Sequence, residues 1–477
     1  MSFRRPRAFL EGKLPHPART GRPQAVALAA PPISLGKPRV AAAPPVQAAV
    51  PRVPEENQPV VRIGSVLMSF FLFIYFSRLL DVTSRVTLAL HIPLFLMIGL
   101  LVLALSAGGV WRLAASRIGI FEVLWVVWVG VATAFSSWRS GSVVVYRDCL
   151  YAAMVFFAIL ALVRNMAQLA RVARAMAFAG LTAAAFSFFF AQDMRGGRVA
   201  VDIGTLADPN EYALVLLMTL PYWWLVARNS KNPKLMGAIS VLAAIPMLVA
   251  FFRSGSRAGL LTLLGLIVAV FFRSRPAQRI VLVVTVILVS AVASVTLPNS
   301  LKERYFTWFS SDATDQDLSA DIASTAARRY FFVQSLKLTL QHPLFGMGPG
   351  QFAGANWEDS KAAGVHIAAQ PTHNTYTEVS SETGIPGLIL FAGTLLISFR
   401  STYRIAKLSE NNESLKALSN TATCVFVSIT AFVIGAFFLS LTYSPLVTVA
   451  LGLSAALQSV AADEFGIVVD KRREQFA

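Results

Sequence analysis

Apolar runs of about 17–25 residues recur along the whole chain, the length needed to cross a bilayer core. Charged residues make up 14% of the 477 positions, where a soluble protein carries about 25%. Mean hydropathy is +0.60. These features exclude a water-soluble fold. They predict an all-α, polytopic membrane protein with twelve transmembrane helices, at 63–80, 86–106, 118–135, 143–163, 172–190, 210–227, 235–252, 258–272, 280–297, 385–399, 420–440 and 445–461. Near the start of the fourth, Arg147 and Asp148 mark either a functional buried pair or an interfacial end.

A net charge of +17 would suit a nucleic-acid partner. The positions of the charges argue against one, because the basic residues sit mostly in a tail and in alternate short loops. Residues 1–61 are rich in Pro, Ala and Arg and read as a disordered, basic cytoplasmic tail. Such a tail fixes orientation, and it also suits contact with anionic lipid or a cytoplasmic partner. With that tail inside, the inner loops hold Arg112 and Arg117; Arg164, Arg171 and Arg174; Arg228, Lys231 and Lys234; Arg273, Arg275 and Arg279; and Arg400, Arg404, Lys407 and Lys416. Residues 462–477 form a second cytoplasmic tail with Lys471, Arg472 and Arg473. The positive-inside rule is met with both termini cytoplasmic. The N-terminus lacks the short apolar core and small-residue site of a cleaved signal peptide. Cys149 and Cys424 both fall in apolar runs, so no disulfide framework or thiolate metal site is expected.

Helices one to nine (62–297) and ten to twelve (385–461) then flank one large outer loop, 298–384, where catalysis is expected. A helix is predicted there from an N-cap at Asp321 to Gln341, stopped by Pro343. Phe332, Leu336 and Leu340 recur at helical spacing, which places it along the membrane surface or the top of the protein. After it come two glycine turns, Gly346, Gly348 and Gly350 in one and Gly384 and Gly387 in the other. Between them His373, stiffened by Pro371, is followed by Asn374, Glu378 and Glu382. A positioned neutral imidazole takes a proton from a hydroxyl near pH 7. The other reading is that His373 and Asn374 cap and pack the loop.

Basic residues on the outer face run against the charge rule, and three groups stand out: Arg195 with Arg198, Arg253 with Arg257, and Arg328 with Arg329. Guanidinium forks match phosphate oxygens. Arg257 lies in the turn FFRSGSRAGLL, where Gly255 and Gly259 permit close approach of a ligand. Arg253 alone suits snorkelling to headgroups. Asp315 and Asp317 form a D-x-D in a polar tract, and His366 with His373 lacks zinc spacing, so no metal is expected. GMGPG follows a helix where a dinucleotide turn needs a strand.

These residues resemble the O-antigen ligase and O-antigen polymerase superfamily of bacterial envelope glycosyltransferases over roughly 190–400. The pattern of His373, Asn374, Gly384 and Gly387 matches the ligase motif, and Arg257 with Leu261 matches its Arg-x-x-x-Leu. PLFGMGPGQF, Arg328 about fifteen residues before Pro343, and DPNEYA from Asp208 to Ala213 resemble further family elements. The resemblance implies a multi-pass protein of the bacterial inner membrane with a periplasmic active site. It implies transfer of a glycan from undecaprenyl diphosphate to an acceptor hydroxyl, on lipid A-core or another glycan, with no metal or other cofactor. Membrane lipids and other polysaccharide-assembly proteins are the implied partners. His373 would be the general base. Arg257 and Arg328 would bind the diphosphate, with Arg198, Arg329, Asn374, Glu378 and Glu382 as substrate-binding or ring-orienting residues. Ligation is favoured by the His motif and by the unequal outer loops, 191–209 against 298–384. The alternatives are an O-antigen or exopolysaccharide polymerase and, from another class, a polysaccharide or lipid transporter or flippase.

Overall fold

The computed structural model describes residues 59–80, 92–190, 192–194, 198–201, 206–306, 316–362 and 369–469. The disordered-tail expectation for residues 1–61 therefore lies almost wholly outside the described residues, as do Arg195, Asp315 and His366. In chain order the helices are α1 (Pro59–Ser77), α2 (Ile92–Ser106), α3 (Gly109–Ala115), α4 (Arg117–Ala134), α5 (Arg139–Leu162), α6 (Met166–Phe189), α7 (Pro209–Arg228), α8 (Pro233–Arg253), α9 (Arg257–Arg273), α10 (Pro276–Thr296), α11 (Asn299–Phe306), α12 (Gln316–Gln341), α13 (Phe352–Ala362), α14 (Thr375–Ser409), α15 (Lys416–Gly435) and α16 (Pro445–Phe465). One short antiparallel hairpin, β1 (Gln192–Met194) with β2 (Arg198–Ala200), interrupts the all-helical pattern.

Several starts are written locally as a polar cap followed by proline. Asp208, Asn232 and Ser444 each accept a backbone N–H of the first turn, and Pro209, Pro233 and Pro445 follow at the first helical position. The cap satisfies an orphan donor, and proline has none to lose there. Packing explains the rest. α16 is enclosed along almost its whole length, whereas α10 has no buried residue and lies at the edge of the bundle against α9. Close helix approach depends on small residues. At Gly180 of α6, an added Cβ would lie 2.2 Å from the Thr219 hydroxyl of α7.

Each of the twelve predicted spans overlaps a helix. Nine described helices are long and apolar enough to cross a membrane, or ten if α2 and α3, bent by 76°, form one span. The predicted spans 210–227 and 258–272 fall on α7 and α9, which are outside that count. At 17 residues α9 is only about 25 Å long, short for a bilayer core of about 30 Å. Arg147 and Asp148 form an ion pair at 3.5 Å with both side chains more than half exposed, so they are not buried in the span.

Two boundaries differ from expectation. α12 begins at Gln316, upstream of Asp321. The tenth predicted span starts well inside α14, which runs from Thr375 and is broken at Gly384 (φ 74°). The Thr-Ser-Glu stretch before that break reads as loop in sequence, yet Thr377 to Gly384 are all buried. Their polar groups are satisfied within the helix and by the segment before α16.

Candidate functional site

The two glycine turns dock on each other. Ile385 donates to the Pro343 carbonyl at 2.8 Å, and Met347 and Gly348 donate to the Ser381 and Glu382 carbonyls at 2.8 and 3.0 Å. Gly346 and Gly384 both have positive φ. A Cβ on Gly384 would lie 2.1 Å from the Leu344 carbonyl oxygen, and one on Gly346 would lie 2.3 Å from the Glu382 carbonyl carbon. The backbones therefore touch where only glycine fits. Gly348 and Gly350, also at positive φ, press on Ser136 and Val145, while Gly387 lies within α14 against Thr383. From the other side Ser137 N–H reaches the Met347 carbonyl and Ser142 Oγ the Pro349 carbonyl. Phe345 stacks on Trp128 and Phe135.

Glu382 fastens this assembly. Its carboxylate accepts from Gly350 N–H (2.7 Å), Phe352 N–H (3.2 Å) and Tyr443 O–H (2.9 Å). Glu378 accepts from the N–H and hydroxyl of Thr442, at 3.2 and 2.6 Å. Both carboxyls are buried, which is tolerable only with such partners. These contacts hold the frame and do not reach the His373 ring.

His373 stands immediately before α14 in the left-handed region, φ 52°, shared among described non-glycine residues only with Arg78. That conformation costs roughly 1–2 kcal/mol. The surroundings enforce it. Its N–H donates to Ser440 Oγ at 3.0 Å. Asn374 caps α14 through Oδ1, accepting from Tyr376 and Thr377 N–H, while its Nδ2 donates to the Phe437 carbonyl. Thr375 N–H reaches the Ala436 carbonyl. The imidazole is 6.4 Å from the Phe331 ring, centre to centre. Burial holds its pKa below the ordinary histidine range, the nearby Arg328 lowers it further, and Asp208 partly opposes both. The ring is therefore a neutral acceptor near pH 7.

A second basic cluster forms at the FFRSGSR turn. Arg198, placed by β2, donates from Nε to the Ser254 carbonyl at 3.1 Å and from Nη2 to Asn210 Oδ1 at 3.3 Å. Ser256 Oγ donates to the same Asn210 oxygen at 2.8 Å and caps α9, putting Arg257 in its first turn. Gly255 has φ 58°, and Arg304 Nε donates to its carbonyl at 3.0 Å. At the start of α7, Asp208 caps the helix and acts electrostatically on His373, while Asn210 two residues on holds Arg198. Arg253 instead lies over the Phe188 ring at 5.7 Å. Arg329 is exposed, whereas Arg328 is half-buried and acts on His373. Arg304 was not flagged in the sequence; its only signal was a basic residue on the outer face close to a polar tract. Ser440, the anchor of His373, gave none. Among the described residues no group of His, Cys, Asp and Glu is arranged to hold a metal ion.

Residues 213–392 match the family model described as O-Antigen ligase. The match covers 180 of the 477 residues and supports a relationship to the O-antigen ligase and polymerase superfamily. The segment carries Arg257, Arg328, His373, Gly384 and Gly387; Arg198 and Asp208 precede it. No curated protein matches the chain.

Proposed function

We propose that this protein transfers a glycan from undecaprenyl diphosphate to an acceptor sugar hydroxyl of lipid A-core, at the periplasmic face of the inner membrane and with both termini cytoplasmic. The acceptor oxygen attacks the anomeric carbon of the donor. The bond from that carbon to the diphosphate oxygen breaks, and the diphosphate leaves with the electron pair. The acceptor proton passes to the neutral imidazole of His373. Arg257 and Arg328, helped by Arg198, stabilise the charge that grows on the leaving group, the largest kind of catalytic contribution in such sites. The reading rests above all on His373, held in a left-handed backbone conformation, its ring half-buried and within electrostatic reach of Arg328 and Asp208.

Deletion of the gene tests it through the envelope glycans. Loss of ligation should leave finished polymer on the lipid carrier and bare lipid A-core. Single unpolymerised repeats on lipid A-core would instead mark a polymerase, and unchanged glycans would overturn the proposal.

The arginines supply a separate prediction. Arg257→Lys keeps the charge but loses the two-pronged fork, so transfer by purified protein should fall by about ten- to a hundredfold, the loss of one charge-assisted contact. Arg328→Ala should fall at least as far, and Arg329→Ala much less. Full activity of Arg257→Ala at normal abundance would exclude its role. Chelation with EDTA should leave wild-type turnover intact.

A further inference from the structure

α12 is amphipathic the wrong way round for a helix facing water. Its buried face carries Gln334, Ser335 and Thr339 beside Phe331 and Leu338. Thr339 Oγ1 is 2.8 Å from Ser380 Oγ of α14. Its outward face carries Phe332, Val333, Leu336 and Leu340, and Leu344 follows in the turn; these five are 42–77% exposed. A stripe of this kind needs an apolar medium. The helix is too charged to cross a membrane, since Asp317, Asp321, Arg328, Arg329 and Lys337 lie along it.

The position of the stripe identifies the medium. At its C-terminal end Pro343 is bonded to Ile385, where the membrane part of α14 begins, and Ile385 and Ile389 are exposed on that span. The outward surface of α12 thus continues a lipid-facing surface. At the other end, three turns back along the same stripe, stands the exposed Arg329, with Lys337 at its border. From Arg329 to Leu340 the helix rises about 17 Å. The apolar end therefore lies nearest the span and a fixed cation lies farthest from it.

We propose that α12 is an interfacial helix. Phe332, Val333, Leu336, Leu340 and Leu344 are seated among the acyl chains of the outer leaflet, and Arg329 lies at the level of anionic headgroup phosphates. Adjacent arginines then have separate partners: Arg328 faces His373 and Arg329 faces the lipid surface. The inference depends on the membrane fold and not on the reaction. It gives α12 a further consequence, since the helix that carries Arg328 and Phe331 is held at the depth where a lipid-anchored substrate presents its headgroup.

Nitroxide labels on Leu336→Cys and Leu340→Cys, in nanodiscs of phosphatidylethanolamine and phosphatidylglycerol, test this directly. Relaxation by oxygen, which partitions into acyl chains, is compared with relaxation by a water-soluble nickel chelate. The oxygen-to-nickel ratio should exceed one at both sites, matching Ile389→Cys in the span and opposing Glu413→Cys in an aqueous loop. The label on Arg329→Cys should give a ratio between those limits. Nickel-dominated relaxation at 336 and 340 would place the stripe in water and overturn the proposal. Protection from both reagents would mean a protein cover or a second copy, and would overturn it equally. Cys149 and Cys424 are buried, so unmutated protein sets the background.

Discussion

Replacing His373 with alanine is expected to lower glycan transfer by at least about a hundredfold while donor binding persists. A sugar hydroxyl is a poor nucleophile at neutral pH, and general base catalysis typically contributes 10²–10⁴-fold. The arginines that would hold the diphosphate are untouched by the change, so binding and rate should separate. Alanine also pays for the left-handed backbone at φ 52°, which confuses chemistry with stability. Asparagine resolves this, because it tolerates that region far better than most residues. His373→Asn should unfold close to the wild-type temperature and still transfer poorly. A stable, fully active His373→Asn would refute the base assignment. If asparagine restored both stability and transfer after alanine had lost both, the residue would be a packing element. The pH profile adds an independent readout. Burial and Arg328 lower the imidazole pKa from its usual value, so the basic form persists to more acid pH than a free histidine allows. Transfer should therefore rise with pH through a midpoint below about 6.5 and be flat above it. His373→Asn should abolish that limb.

The membrane character was legible because burial in lipid demands continuous apolar helices, and such runs announce themselves. Their count was less so. α7 carries Asn210 and Glu211 in its first turn and contains Pro221, and α9 is short. Hydropathy also misread the start of α14. Its Thr, Ser and Glu residues look solvated until Thr442, Tyr443 and Ser440 appear beside them. Those partners lie more than sixty residues further on, and single-sequence spacing carries no such pairing. The glycines were legible as a set, yet what they touch was not, since Gly346 and Gly384 meet backbone and backbone leaves no residue-specific mark. His373 and the outer arginines stood out because they broke the charge rule or interrupted an apolar context. Arg304 broke the same rule beside Lys302, but with Glu303 between them the pair reads as an ordinary solvated stretch. Glu378 and Glu382 were expected near the substrate or the ring; the structure commits their oxygens to Thr442 and to the glycine turn.

That commitment makes Gly384→Ala the most damaging substitution expected outside the reacting groups. An alanine there would hold a positive φ and drive its Cβ to 2.1 Å from the Leu344 carbonyl oxygen, and neither neighbour is a flexible side chain that could give way. Either the break in α14 straightens or the Pro343–Gly350 turn lifts off. Both outcomes separate Glu382 from Gly350 and Phe352, leaving a buried carboxylate short of donors. Loss of about 3–5 kcal/mol is expected, the range of the most harmful point changes. The control is the same chemical change at Gly354 of α13, where an added Cβ meets nothing within 4 Å. Gly354→Ala should be neutral or stabilising by up to about 1 kcal/mol, since alanine favours the helix. Thermal unfolding of the two purified variants in one detergent reads the difference. Equal midpoints would mean that the glycine turns do not bear on each other. A destabilised Gly384→Ala that kept normal transfer would separate the turn from the site. Loss of both is expected, because His373 lies just before the N-cap of α14 and the docked turn fixes the far end of the nine-residue segment 375–383.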